Sequence, residues 1–182
     1  MGRVGSQAPR SNCRSTARTS RSFIAYVGVA WCVLAPALAS AQALATHRIP
    51  AGLALEAVSA AVAACAQQGY SETAVLVDVD GVRQAVLRGD RAGAHTLDSA
   101  FDKAYTAASF KSDTSALVER SKTAPIAPLL AKLPNLLLFA GGLVIKVDDE
   151  VVGAIGAAGA PGGELDDACA RAGLDKIRDR LK

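Results

Sequence analysis

Aromatic side chains are scarce in this sequence of 182 residues, of which they make up 4%, and histidine occurs only twice. Hydrophobic residues nevertheless make up 51% of the chain, which excludes an intrinsically disordered protein. Much of that fraction is alanine, whose small side chain buries little apolar surface. The length suits one domain with a single core. A bound cofactor or several subunits would supply the burial that these side chains do not.

Acidic residues are absent from residues 1–41, which carry five arginines. The other 15 lysines and arginines and all 17 acidic residues lie in residues 42–182, which therefore have a net charge of −2. A slightly acidic body offers no basic surface to the phosphates of a nucleic acid. We therefore expect no nucleic-acid partner.

Residues 1–41 show the pattern of a secretory signal peptide. Arginines and serines are followed by the apolar stretch 23–38, and Ala39 and Ala41 form a small-residue cleavage site. A membrane anchor is the alternative, but a stretch that is interrupted by Pro36 is short for the roughly 20 residues that span a bilayer. The sequence therefore predicts cleavage after Ala41 and a periplasmic or secreted protein, without a stable membrane anchor.

Cleavage would leave two of the four cysteines, Cys65 and Cys169. In an oxidising compartment they can pair, provided that the first and last helices bring their α-carbons within about 7 Å. The alternative, which the sequence favours, is two buried free thiols that pack as small hydrophobic side chains. The sequence has no CxxC motif or Cys/His cluster that would indicate a metal site.

Apolar periodicity and turn signals predict an α+β domain over residues 53–182, preceded by a tail over 42–52. Helices are predicted over 53–68, 96–110 and 164–181, with a short helix and a surface excursion within 112–135. Strands are predicted over 73–79, 82–87, 136–139, 143–147 and 151–157. Turn signals at Asp80-Gly81 and Asp148-Asp149 indicate hairpins. The sequence therefore predicts a mostly antiparallel five-stranded sheet flanked by helices.

Motifs for common catalytic chemistry are missing. The sequence has neither GxSxG nor a recognised triad spacing, so a hydrolase is weakly supported. Gly153, Gly156 and Gly159 lack the spacing and the parallel strands of a dinucleotide-binding loop, and we interpret them as a tight backbone turn. The acidic residues 148–150 can ligate a hard cation, but their position favours a solvated hairpin turn.

The two histidines are His47, in the predicted tail, and His95, between Gly93 and the predicted helix N-cap Thr96. A neutral imidazole ligates transition metals and haem iron. A single histidine at the start of a helix is, however, more often a surface residue. From the residues alone, the sequence predicts an exported α+β domain and leaves open whether it binds a ligand.

Five segments of the chain form a distinctive series: R-G-D-R-A-G-A-H-T-L-D-S-A from Arg88, K-A-Y-T-A-A-S-F from Lys103, G-G-L at 141–143, E-V-V-G-A-I-G at 150–156 and G-A-P at 159–161. In this order they resemble the GlcG/HbpS-type haem-binding family. The resemblance extends over most of the predicted mature chain. Val144 stands where the family usually has proline, and Asp149 where its hairpin turn usually has glycine. Both departures concern backbone shape more than chemistry.

The resemblance implies a profilin-like fold, a homo-oligomer and haem as cofactor. The cofactor-binding residues that it implies are His95, Arg88, Lys103, Tyr105 and Thr106. His95 would ligate the iron, and Lys103 or Arg88 would pair with a propionate. The alternative for Arg88 is a structural ion pair with Asp90. Tyr105 is a second candidate for the iron, although a packing role is favoured.

An exported haem carrier or sensor module is the function that the resemblance implies. A haem-degrading or other small-molecule enzyme is one alternative, although no acid–base constellation supports it. A corrinoid-related or scaffold module that binds no haem is another. The sequence identifies neither a physiological ligand nor a partner protein.

Overall fold

The computed structural model describes residues 47–182, so the predicted signal peptide over 1–41 lies outside the described residues. The helices are α1 (Ala51–Gln67), α2 (His95–Phe110), α3 (Thr114–Ser121), α4 (Ala127–Leu130) and α5 (Gly163–Ile177), followed by a 3-10 turn (Arg178–Arg180). The strands are β1 (Thr73–Asp78), β2 (Arg83–Arg88), β3 (Gly142–Val147) and β4 (Glu150–Ala158). None of the helices from His47 onward is long and apolar enough to cross a bilayer.

The strands form one sheet in the order β2-β1-β4-β3, and every neighbouring pair is antiparallel. The predicted α+β class, with an antiparallel sheet flanked by helices, is confirmed. The predicted fifth strand over 136–139 is wrong. The backbone N–H of Leu137 donates to Oγ1 of Thr106 on α2 at 2.9 Å, not to a strand, and Asn135 before it has a left-handed φ of 61°. The apolar run therefore lies against α2 instead of extending the sheet.

Two apolar layers lie on the two faces of the sheet. Because side chains alternate along a strand, Ala74 and Leu76 of β1 face the layer that α1 and α5 complete. Val75 and Val77 face the layer completed by α2. The central strand β1 is thus buried on both faces, which explains its continuous apolar run.

Most of the glycines in the segment 153–159 allow close packing of neighbouring elements and do not form a turn. Gly156 lies within β4, where an added Cβ would lie 2.7 Å from the backbone nitrogen of Ala104 on α2. A side chain there would push the helix off the sheet. The interpretation of the whole segment as a tight turn is therefore wrong for Gly153 and Gly156, which are strand residues. It holds for Gly159, which follows β4 with a φ of 143°.

Cys65 of α1 and Cys169 of α5 form a disulfide, with their α-carbons 5.5 Å apart. The prediction of two free thiols is wrong. The part of that interpretation that made both cysteines buried is confirmed, because both side chains are fully buried. The sequence could not show that α1 and α5 pack directly against each other, which is what brings the sulfurs together.

Candidate functional site

A cavity of about 190 Å³ lies where the start of α2 meets the end of β4 and the start of α5. The segment before β3 covers its remaining side with Leu137 and Phe139. Its polar lining comes mainly from His95, Ser99 and Lys103 of α2 and from Asp166 of α5. The cavity thus combines an imidazole, a buried ion pair and an apolar wall.

His95 is the first residue of α2 and is exposed at the cavity wall. The next residue, Thr96, is 2% exposed, and its hydroxyl donates to the carbonyl of Gly93 at 2.6 Å. The same hydroxyl lies 2.6 Å from Oγ1 of Thr73 on β1. Thr96 therefore ties the start of α2 to the sheet and fixes the backbone that carries His95.

Lys103 is 2% exposed, which is exceptional for a lysine. Its Nζ donates to Oδ2 of Asp166 at 2.5 Å and to the carbonyl oxygen of Ala157 at 3.0 Å. The ring of Phe139 lies with its centre 5.1 Å from the same nitrogen, a distance at which a cation is attracted to an aromatic face. The charge of Lys103 is therefore already compensated by the protein itself.

A second buried acid, Glu72, lies next to the Lys103–Asp166 ion pair, so that the three residues form a row of charged groups. Glu72 is 1% exposed and hydrogen-bonds to Asp166. Burial, together with the charge of Asp166 and this hydrogen bond, raises the pKa of Glu72 to about 8, although Lys103 and the backbone N–H of Ala160 act in the opposite direction. Because two carboxyl groups hydrogen-bond only when one carries a proton, and because the pKa of Glu72 is raised to about 8, Glu72 is protonated at neutral pH.

Glu72 also contacts the disulfide. Oε2 of Glu72 lies 3.2 Å from Sγ of Cys65. A disulfide sulfur has no proton to donate, and the single proton of Glu72 is shared with Asp166, so the contact with sulfur is not a hydrogen bond. Oε1 of the same side chain lacks a partner among the described residues while Glu72 is ionised. Protonation supplies a donor to this buried acid.

The other residues implied by the resemblance, Thr106, Tyr105 and Arg88, are not part of the cavity lining. Thr106 is fully buried and holds Leu137, which does line the cavity. Tyr105 packs against Phe101, with ring centres 5.7 Å apart. Arg88 donates from Nε to the carbonyl of Ala92 at 2.8 Å.

Two sequence expectations outside the cavity can also be located. The Arg88–Asp90 ion pair is not among those formed within residues 47–182. His47, expected in the tail, lies with Nδ1 2.9 Å from Oε2 of Glu150, at the β3–β4 hairpin. The structure therefore groups His95 and Lys103 at one cavity and separates Arg88, Tyr105 and His47 from it.

Sequence reasoning missed Glu72 and Asp166. Asp166 had a signal, because spacings of three and four residues connect it to Cys169, Gly173 and Ile177 on the buried face of α5. An acid on such a face needs a buried partner. Glu72 directly precedes an apolar strand and had no comparable signal.

Comparisons with known proteins agree with this architecture. The family model described as "Haem degrading protein HbpS-like" matches residues 49–175. A crystal structure of HbpS is 36% identical and superimposes with a TM-score of 0.69, covering 74% of this chain and 93% of that one. A doubly substituted HbpS from Streptomyces reticuli is 34% identical with a TM-score of 0.69, covering 86% and 97%. The curated proteins give no match.

A crystal structure of a PduOC–haem complex is 23% identical, with a TM-score of 0.66, and covers 71% of this chain and 95% of that one. At this identity the likeness shows a shared fold. The family model and the two HbpS structures carry the assignment, because they combine sequence identity with coverage of most of the chain. This chain belongs to the HbpS-like family.

Proposed function

We propose that this protein binds haem and that the imidazole of His95 contributes to the iron site. The observation that carries the proposal is the position of His95 on the wall of a cavity that also has an apolar side. A neutral imidazole is a common haem ligand, and the apolar wall suits the porphyrin ring. The family and the haem complex of a related fold support the same cofactor.

The side chains that line the cavity suit haem, but the volume of the cavity is small for it. A cavity of about 190 Å³ is smaller than the roughly 300–1,000 Å³ typical of sites for small organic ligands. Haem would therefore have to displace Leu137 and Phe139, or keep part of its ring outside. Phe139 is 50% exposed, so its movement would expose little additional apolar surface.

Lys103 has a smaller role in this proposal than in the sequence interpretation. Two of its three N–H donors are held by Asp166 and Ala157. The third remains for a propionate that replaces the ring of Phe139. Arg88 and Tyr105 stay candidates only for a haem that extends well beyond the cavity.

Haem titration of the purified exported protein tests the proposal. We expect a saturable Soret band, and His95→Ala should weaken binding and change the ligand-field bands. His47→Ala is the matched control, because His47 is paired with Glu150 away from the cavity, and it should leave both unchanged. An unchanged spectrum in His95→Ala would place the ligand elsewhere. If the native protein shows no saturable Soret change, the haem proposal is wrong and the alternative of a scaffold module that binds no haem remains.

Haem degradation is the second candidate function, favoured by the description of the family model. A carrier returns intact haem on extraction, whereas an enzyme supplied with a reductant and oxygen converts it to ring-opened products. Product analysis of the loaded protein therefore distinguishes the two. If free haem loses its Soret band as fast as the loaded protein does under the same conditions, enzymatic degradation is contradicted.

We also propose export, on the basis of the basic and apolar pattern of residues 1–41. Intact mass of the exported protein should correspond to a chain that begins at Gln42. A membrane-bound species that retains residues 23–38 would contradict it.

A homo-oligomer is the last part of the proposal. Four large apolar side chains between α3 and β3 are at least half exposed: Ile126, Leu129, Leu133 and Phe139. Such a group of exposed apolar residues is typical of an interface. Light scattering of the purified protein should give a mass above that of one chain, and a monomer at micromolar concentration would contradict the proposal.

A further inference from the structure

Gly93 lies directly beneath the imidazole of His95. A Cβ added at residue 93 would lie 2.6 Å from Cε1 and 2.8 Å from Nδ1 of that ring. Both distances are well below ordinary van der Waals contact, so any other amino acid at this position must displace the ring. Nε2 would be 3.7 Å from the same Cβ, which makes it the ring nitrogen farther from residue 93.

The backbone does not explain why residue 93 is glycine. Gly93 is not among the glycines with positive φ, which are Gly69, Gly81, Gly141 and Gly159. Any L-amino acid can adopt its backbone conformation. The feature that requires glycine here is the space that the His95 ring occupies.

The backbone of Gly93 is also held in place, so it cannot retreat from a clash. Its carbonyl oxygen accepts hydrogen bonds from Oγ1 of Thr96 at 2.6 Å and from the backbone N–H of Thr96 at 3.1 Å. Thr96 is in turn bonded to Thr73 in the sheet. A side chain at residue 93 would therefore move the exposed imidazole, not the loop.

We propose that Gly93 is the positioning residue for His95: the space left by its missing side chain holds the Nδ1–Cε1 edge of the imidazole and leaves Nε2 as the nitrogen offered to the iron. This inference rests on the proposed haem site and adds to it the atom that binds and the residue that sets its direction. Gly93 itself would not touch the haem iron.

The first test uses the protein without haem and follows the two histidine rings by NMR. In Gly93→Ala we expect the ring resonances of His95 to shift, while those of His47 stay in place as an internal reference. Gly52→Ala is the matched control, because a Cβ at Gly52 meets nothing within 4 Å. His95 resonances that are identical in Gly93→Ala and in the native protein would overturn the steric part of the inference.

The second test is a double-mutant cycle on haem affinity. Gly93→Ala should weaken haem binding about tenfold, which corresponds to about 1.4 kcal/mol, and should alter the ligand-field bands. In the His95→Ala background the same change should have no effect, because no ring remains to be displaced. Equal effects in both backgrounds would overturn the positioning role.

The same variants distinguish an effect of Gly93→Ala on folding stability from an effect on haem binding. If Gly93→Ala lowers the free energy of unfolding through the clash, Gly93→Ala/His95→Ala should restore it, and continued instability would contradict the inference. If the native protein binds no haem, the role of Gly93 at the iron falls together with the proposed function. The NMR comparison then still decides whether Gly93 sets the direction of the ring.

Discussion

Replacing Glu72 with glutamine should stabilise the protein at neutral pH, and the gain should grow as the pH rises. Glutamine keeps the size of the side chain and has an N–H donor for Asp166, but it has no proton to lose. In the native protein, the buried carboxyl group of Glu72 must stay protonated to hydrogen-bond Asp166, because its negative charge would lie beside another carboxylate. At neutral pH the ionised Glu72 of the unfolded chain must take up a proton on folding, and the substitution removes this cost.

The sign and size of this effect follow from the pKa of Glu72. Burial raises that pKa from 4.5 to about 8 in the folded protein, so the folded state holds the proton more tightly than the unfolded state. The stability that this proton provides is complete below about pH 4.5 and is lost as the pH rises through about 8. At about 1.4 kcal/mol per unit, the total is on the order of 5 kcal/mol, and about 3 kcal/mol of it is lost by pH 7.

Urea denaturation of both proteins, with the disulfide intact, measures the difference at a series of pH values. From about pH 5 to about pH 8, the free energy of unfolding of the native protein should fall by up to about 1.4 kcal/mol per pH unit relative to that of Glu72→Gln. Glu56→Gln is the control: Glu56 is exposed, and its hydrogen bond with Arg180 lowers its pKa. Its curve should show no such divergence. Parallel curves for Glu72→Gln and the native protein would refute the assignment of the proton to Glu72.

Three further predictions concern the packing around the site. Removing the disulfide with Cys65→Ala/Cys169→Ala should lower the free energy of unfolding by about 4 to 5 kcal/mol in a chain-entropy model, because it opens a loop of about 100 residues. Lys103→Met should lower it by roughly 3–5 kcal/mol, because Asp166 is left as an unpaired buried charge. Gly156→Ala should cost about 1–3 kcal/mol or more through its clash with α2. Urea denaturation measures all three.

Matched variants make these predictions specific. Dithiothreitol should destabilise the native protein but not the cysteine-free variant. Adding Asp166→Leu to Lys103→Met should recover much of the loss, because no charge then remains to be paired, and failure to recover would show that packing dominates. Gly52→Ala, in open space on α1, should not destabilise the protein; an equal loss there would refute the steric account of Gly156.

Local sequence patterns predicted most of the helices and strands because their causes are local. The turn at Asp80-Gly81 and the continuous apolar run of β1 follow from neighbouring residues. The segment 136–139 has the composition of a strand, but Thr106, about 30 residues earlier in the chain, captures its backbone. The conformation of the apolar run therefore depends on the distant side chain of Thr106. Periodicity within the run carries no information about that contact.

The candidate site divides in the same way. His95 was identifiable because the histidines are so few and because its surroundings match a family motif. The motif also includes Lys103, but its burial depends on Asp166, which lies 63 residues later in the chain. The motif contains Lys103 but not Asp166, the acid that compensates its buried charge. From the motif alone, Lys103 was therefore interpreted as a partner for a propionate.

The protonated state of Glu72 illustrates why such a network cannot be derived from its members one by one. A glutamate before an apolar strand is ordinarily ionised, and an aspartate paired with a lysine is neutralised. Only when Lys103, Asp166 and Glu72 are placed together does the row contain two acids for one cation. Since a buried excess charge is strongly disfavoured, the unmatched acid retains its proton. The charge state of the site is therefore a property of the fold that joins α2, α5 and the start of β1.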